Sequence, residues 1–273
     1  MIKVKNLSFK YKLMNDKVLD YLNFALEPNH IYGLLGKNGE GKTTLLQLMS
    51  GLLKPDVGEV DIDGINSFKR DPRTLANLYL MPEEPSFPQL TYKQFVAMHE
   101  DFYPNFSRDT LEKCLADFEV DAHKNLSSYS MGQRKKVFLS FALAAHTPYL
   151  LLDEPTNGLD ISSKTSFRKI VAGNMSEDQL IVISTHLVHD VEQLLDYILL
   201  LDHQSLIVES SISDITNKYI FCERQHVEGD ETVVYSEPSL HGFNVMALRQ
   251  EGDEETEINL ELFFNAMVKG AVQ

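Results

Sequence analysis

Apolar and polar residues alternate from Met1 to Tyr11, with Ile2, Val4, Leu7 and Phe9 on one side, the pattern of an edge strand. A polar turn, Lys12 to Lys17, leads to a second alternating run, Val18 to Leu26, suited to pair with the first. Glu27-Pro28-Asn29-His30 then turns the chain into Ile31 to Leu35, an unbroken apolar run that predicts a buried strand. Thr44 to Met49 predicts a helix that Gly51 caps and Pro55 stops. Gly58 to Gly64 reads as a short strand and a turn, and Leu75 to Met81 as a strand ending at Pro82. Three prolines between Pro82 and Pro88 make a loop, Pro82-Glu83-Glu84-Pro85-Ser86-Phe87-Pro88.

The period becomes helical from Thr91. Thr91 can cap Tyr92 to Phe102, and Ser107 can cap Arg108 to Phe118. Ser130, with Gln133 three residues on, forms a capping box that opens a helix running to Ala144. These helices are expected as an insertion between two strand-bearing halves. Tyr149 to Leu152 is a buried strand ending in Asp153 and Glu154. A helix, Ile161 to Ala172, precedes another buried strand, Leu180 to Ser184, which ends in Thr185 and His186. Leu187 to Leu195 reads as helical, and Tyr197 to Leu201 and Ser205 to Glu209 as strands. Beyond Ser211 the pattern gives strands at Thr232 to Tyr235 and Phe243 to Leu248, a turn at Gly252 to Glu255 and a last helix at Leu260 to Phe264.

The 273 residues suffice for one large domain or a domain with an appendage. No apolar run reaches the ~18 residues of a membrane span, and the first residues lack the apolar region of a signal peptide. A soluble, intracellular protein is expected, with any membrane contact made through a partner. Cys114 and Cys222 have no metal-ligand spacing and read as reduced thiols. The net charge of −15 and the lack of a basic block argue against nucleic acid as the main partner. Acids gather after Glu209 and mark the tail as a different unit.

The candidate chemistry sits at strand ends. Gly36-Lys37-Asn38-Gly39-Glu40-Gly41-Lys42-Thr43-Thr44 fits the phosphate-loop pattern without a mismatch, between a predicted strand and a predicted helix. Its glycines let several N–H groups face one anion, and the helix N-terminus adds partial positive charge. Lys42 would reach the β- and γ-phosphates, and the Thr43 hydroxyl would take a position on Mg²⁺. Asp153 is placed to bind Mg²⁺, with Glu154 one residue further out, where water could sit. Tyr11 is either a ring that stacks on a base or a core or rim residue. Arg134, Lys135 and Lys136 oppose the dipole of their helix. They form either a solvated face or the neighbour of a polyanion.

Taken together, these elements resemble the nucleotide-binding domain of ABC transporters from Met1 to about Ser211. Gly36 to Thr43 resembles Walker A, Tyr129-Ser130-Met131-Gly132-Gln133 the signature motif, and Leu150 to Glu154 Walker B with the catalytic glutamate. Asn157-Gly158-Leu159-Asp160 resembles the D-loop, and Ser184-Thr185-His186 the switch histidine. Pro82-Glu83 takes the Q-loop position and Tyr11 the aromatic A-loop position. Three departures stand out. Met131 replaces the first signature glycine, Glu83 replaces the Q-loop glutamine, and Glu40 puts an acid inside the phosphate loop.

The resemblance implies an α/β fold: a P-loop NTPase core of ABC type with an antiparallel β subdomain, an inserted helical subdomain at about 90–146 and a small α+β extension. The domains would be 1–210 and 211–273. It implies ATP and Mg²⁺ as cofactors and a head-to-tail dimer, with itself or a related ATPase subunit, around the nucleotide. Lys42, Glu154 and His186 would be catalytic. Tyr11, Gly36, Lys37, Asn38, Gly39, Gly41, Lys42, Thr43 and Thr44 would bind the nucleotide on one side. Ser130, Gly132, Gln133 and Asp160 would meet it from the other chain. Thr43, Glu83 and Asp153 would hold the metal. Separate transmembrane permease subunits would take up the work, in export in view of Glu83 and the tail, at the cytoplasmic face of the cell membrane. The rival classes are a non-transport ABC ATPase acting on nucleic acid or ribosomes, and a phosphate-loop kinase or GTPase. The first lacks its coiled-coil insertion or second ATPase domain here, and the second its N-K-x-D motif.

Overall fold

A computed structural model describes residues 1–13, 15–85, 90–121 and 125–272. In chain order the elements are β1 (Ile2–Phe9), β2 (Leu19–Leu26), β3 (His30–Leu35), α1 (Lys42–Met49), β4 (Val57–Ile62) and β5 (Ile65–Asn66). Next come α2 (Pro72–Ala76), β6 (Leu78–Met81), α3 (Tyr92–His99), α4 (Arg108–Asp117), α5 (Met131–Ala144), β7 (Tyr149–Asp153), α6 (Ile161–Asn174) and β8 (Leu180–Thr185). The chain continues with β9 (Tyr197–Asp202), β10 (Ser205–Ser211), α7 (Ile212–Lys218), β11 (Tyr219–Arg224), β12 (Val233–Ser239), β13 (Gly242–Leu248) and α8 (Leu260–Val268).

The central sheet has the order β10-β9-β3-β8-β7-β6. It is parallel from β9 to β6, with β10 antiparallel at one edge. Its strands are apolar on both faces because both are covered. Tyr32, Leu34, Leu151 and Val182 face one core with α1 and the antiparallel sheet β2-β1-β4-β5. Ile31, Leu35, Leu150, Leu152 and Ile181 face a second core with α3 to α6. The parallel strands all present their carboxyl ends on one side of the sheet, where loops can converge.

Several local expectations need correction. β1 is no edge strand, since it lies between β2 and β4, with irregular register around Asn6. The run from Leu75 is not all strand, because Asp71 caps a short helix and Pro72 starts it before β6 begins. Leu187 to Leu195 holds only two 3₁₀ turns, Val188–Asp190 and Glu192–Leu194. Of the proline loop, Ser86, Phe87 and Pro88 lie outside the described residues.

The tail is fuller than its pattern suggested. It forms a three-stranded sheet, β11-β13-β12, preceded by α7 and followed by α8. Leu260, Leu262, Phe263 and Ala266 of α8 are buried in the second core together with Val188 and Val191. α8 therefore lies over the loop that follows His186.

Candidate functional site

Gly39 and Gly41 adopt φ 92° and 94°, the left-handed region that glycine enters without cost, and Gly41 is the N-cap of α1. The loop so curled wraps the Lys42 ammonium, which donates to the carbonyls of Gly36 at 2.8 Å and Lys37 at 3.2 Å. A Cβ on Gly41 would stand 2.8 Å from Leu19, so β2 fixes the loop from outside. The loop forms one wall of a cavity of about 700 Å³. Asn38, Gly39, Glu40, Gly41, Lys42, Thr43 and Thr44 line it, with Tyr11, Lys17, Val18, Glu83, Glu154, Asn157, His186, His203 and Gln204. Gly36 and Lys37 act through their carbonyls on Lys42 and are not part of the lining.

The opposite wall comes from the ends of β7 and β8. Ser184 accepts a hydrogen bond from the Glu154 N–H at 3.1 Å and donates to Asp153 at 2.5 Å. Glu154 follows β7 with φ 44°, a conformation that costs a non-glycine residue energy and turns its carboxylate toward the cavity. Its Oε1 lies 2.9 Å from His186 Nδ1 and 3.5 Å from Lys42 Nζ. Burial pushes the Asp153 carboxyl above the ordinary carboxylate range, and hydrogen bonds from Ser184 and Thr43 offset part of that. Glu83 accepts from the Asn157 amide at 3.1 Å.

The donor set suits Mg²⁺ bound beside phosphates. A hydroxyl and two carboxylates, from Thr43, Asp153 and Glu83, leave places for phosphate oxygens and water. Among the described residues no three or more His, Cys, Asp or Glu side chains gather into a cage for a metal alone.

Tyr11 lies at the rim. Its ring packs edge-on against Phe9, and its hydroxyl shares a 3.1 Å hydrogen bond with Thr44 Oγ1. Ser130, Gly132, Gln133 and Asp160 are not part of this cavity. Ser130 and Gln133 are exposed and complete the capping box of α5, each side chain bonded to the other's N–H. A Cβ on Gly132 would stand 3.0 Å from the Gly158 carbonyl, so α5 meets the loop after β7 closely there. Met131 is 46% exposed and points out of the fold. Asp160 caps α6, and hydrogen bonds from Ser162 and Ser163 hold its carboxyl well below the usual range.

Sequence reasoning missed Lys17, Val18, His203 and Gln204. The last two sit on the β9–β10 turn, which the fold, and no local signal, brings to the cavity. It also left the cations of α5 undecided. Arg134 donates to the carbonyls of Tyr129 and Ser127, Lys136 stands 3.9 Å from Asp160, and Lys135 is buried.

Comparison with known proteins agrees with this geometry. The family model described as ABC transporter matches residues 19–157. The ABC transporter ATP-binding protein YtrB of Bacillus subtilis is 30% identical over 81% of this chain and 75% of its own length. The bacitracin transport ATP-binding protein BcrA of Bacillus licheniformis is 28% identical over 90% of this chain and 82% of its own. A solved ATP-binding subunit of an ABC transporter superposes with a TM-score of 0.71 at 23% identity, over 79% of this chain and 91% of that one, a likeness of fold. With Walker-type residues gathered around one cavity and these matches over most of its length, the chain belongs to the ABC transporter family, as an ATP-binding protein of the ATPase type.

Proposed function

We propose that two copies of this chain, or one copy and a related subunit, close around ATP and Mg²⁺ and drive separate transmembrane permease subunits in export. The observation that carries this reading is the division of the site. Lys42, Glu154 and His186 converge on one cavity, whereas Ser130, Gly132, Gln133 and Asp160 lie outside it, with Ser130, Gln133 and Asp160 exposed. A capped helix N-terminus with a serine suits the γ-phosphate of a nucleotide held by another chain.

In the closed dimer Lys42 and the loop N–H groups of Gly36 to Thr44 hold the phosphates, and Tyr11 meets the base. Thr43, Asp153 and Glu83 would hold Mg²⁺, which would supply positive charge to the phosphate oxygens. Glu154 orients the attacking water and takes its proton, and His186 fixes the Glu154 carboxylate and meets the γ-phosphate. Asp160 joins the opposite site across the interface. The chain divides at 210 into the ATPase unit, with its helical subdomain at about 90–146, and the extension 211–273.

A groove of about 530 Å³ lies beside β6, lined by Leu52, Leu75, Leu80, Pro82, Phe102 and Tyr103. It suits an apolar segment of the permease, and it adjoins Glu83 through Pro82. Among the described residues no helix is long and apolar enough to cross a membrane, which fits a subunit that works at the inner face through its partner. Glu83 in place of glutamine supports the outward direction. So does the match to the bacitracin transport protein, which covers 90% of this chain and so reaches into the tail.

Light scattering on the Glu154→Gln protein tests the sandwich. ATP with Mg²⁺ is expected to convert monomer to dimer, and Ser130→Ala in the same background to prevent it. Full ATP-driven dimerisation without Ser130 would remove the signature helix from the site.

A further inference from the structure

α5 carries a lysine that its position does not explain. Lys135 is 2% exposed, and burying an ammonium is costly unless it is paired. Its Nζ donates to the backbone carbonyl of Glu154 at 2.8 Å. That carbonyl belongs to the residue with φ 44°, whose strained backbone aims the carboxylate at His186 and Lys42. Burial lowers the Lys135 pKa, while Glu83, Glu154, Asp153 and Glu84 act against that and favour its charge. Its ammonium therefore lies directly behind Glu154, whose carboxylate lines the cavity.

We propose that Lys135 is a positioning residue for Glu154, pinning its left-handed backbone from behind. The inference rests on the reading of Glu154 as the group that orients water. Lys135 is the fifth residue of α5, whose N-cap is Ser130, so the element offered to the partner's nucleotide also holds the backbone of this chain's own Glu154.

Steady-state ATPase measurements on Lys135→Met, together with the affinity of a fluorescent ATP analogue and thermal melting, test this. Lys135→Met keeps the stem and removes the donor and the charge. The expected result is a fall in kcat of at least ~10-fold, the scale of lost positioning groups, with analogue affinity changed less than ~3-fold. Lys135→Gln, which keeps a donor without the charge, is expected to recover part of the lost turnover. A purely structural lysine would lower the melting temperature and leave the kcat of the folded protein unchanged. If Lys135→Met does not fold, Lys135→Ala is measured in its place with the same expectation. Unchanged kcat, or a kcat of Lys135→Gln no higher than that of the variant without a donor, overturns the proposal. Glu154→Gln serves as the control. If it turns over normally, the reading of Glu154 fails; if it is inactive while Lys135→Met is normal, only the role of Lys135 fails.

Discussion

The Lys42 ammonium stands 3.5 Å from Oε1 of Glu154, and both side chains are almost fully buried. The same carboxylate oxygen lies 2.9 Å from His186 Nδ1. Without nucleotide, the group that would activate water is thus held between two potential cations. On the proposed mechanism, a γ-phosphate entering the cavity would compete with Glu154 for Lys42 and so free the carboxylate for water. Glu154→Gln is expected to bind ATP and to hydrolyse it at least ~10²-fold more slowly, the scale of general-base catalysis. Lys42→Ala is expected to lose nucleotide binding. Isothermal titration and phosphate release measure the two, and near-normal turnover of Glu154→Gln would remove it from the mechanism.

Glu192 sits where α8 meets the loop after His186. Burial is the main cause that raises its pKa above 4.5; Glu257 and Glu261 add to it, and His189 and a backbone hydrogen bond at Leu260 oppose it. The folded protein therefore holds this proton more tightly than the unfolded chain. Its contribution to stability is full below pH 4.5 and is lost as pH rises through the raised value. Glu192→Gln should melt higher than the parent at pH 7 and 8, with the gap closing below pH 4.5. A gap that is constant with pH would contradict the assignment.

Phe263 is 2% exposed in the core that α8 shares with Val188 and Val191. Phe263→Ala should cost ~3–5 kcal/mol, the range for emptying a buried aromatic site. Urea denaturation followed by circular dichroism measures this. A loss below ~1 kcal/mol would mean that the tail is only loosely applied to the core.

The two thiols should differ in reactivity. Burial pushes the Cys114 thiol up to about 11, and its side chain is enclosed, whereas Cys222 is half-buried on β11. A thiol reagent at pH 8 should label Cys222 in the native protein and Cys114 only after unfolding. Equal rates for both in the native state would contradict the packing around α4.

Much of the site could be read in advance, because its residues stand beside strand ends in short runs. Gly36 to Thr44, Asp153, Glu154 and His186 each announce themselves locally, by a glycine turn or by a polar residue closing an apolar run. What could not be read depends on distant pairing. β11 has no turn signal of its own and exists through its ladder with β13, from Tyr219–Leu248 to Arg224–Phe243. The segment Leu187 to Leu195 has helical spacing, but the loop is held by Lys164 on Asp190 and by α8, which leave only single turns. Lys135 looked like one of three similar cations. Only the approach of α5 to the end of β7 separates it from Arg134 and Lys136.

The placement of α8 sets an order on biosynthesis. Strands β3, β7 and β8 and the phosphate loop lie in about the first two-thirds of the sequence, whereas Phe263, which shares a core with Val188 and Val191, is made much later. The apolar cover of the segment behind His186 is therefore supplied by residues made well after the strand that carries this histidine, so that segment is among the later parts of the core to close.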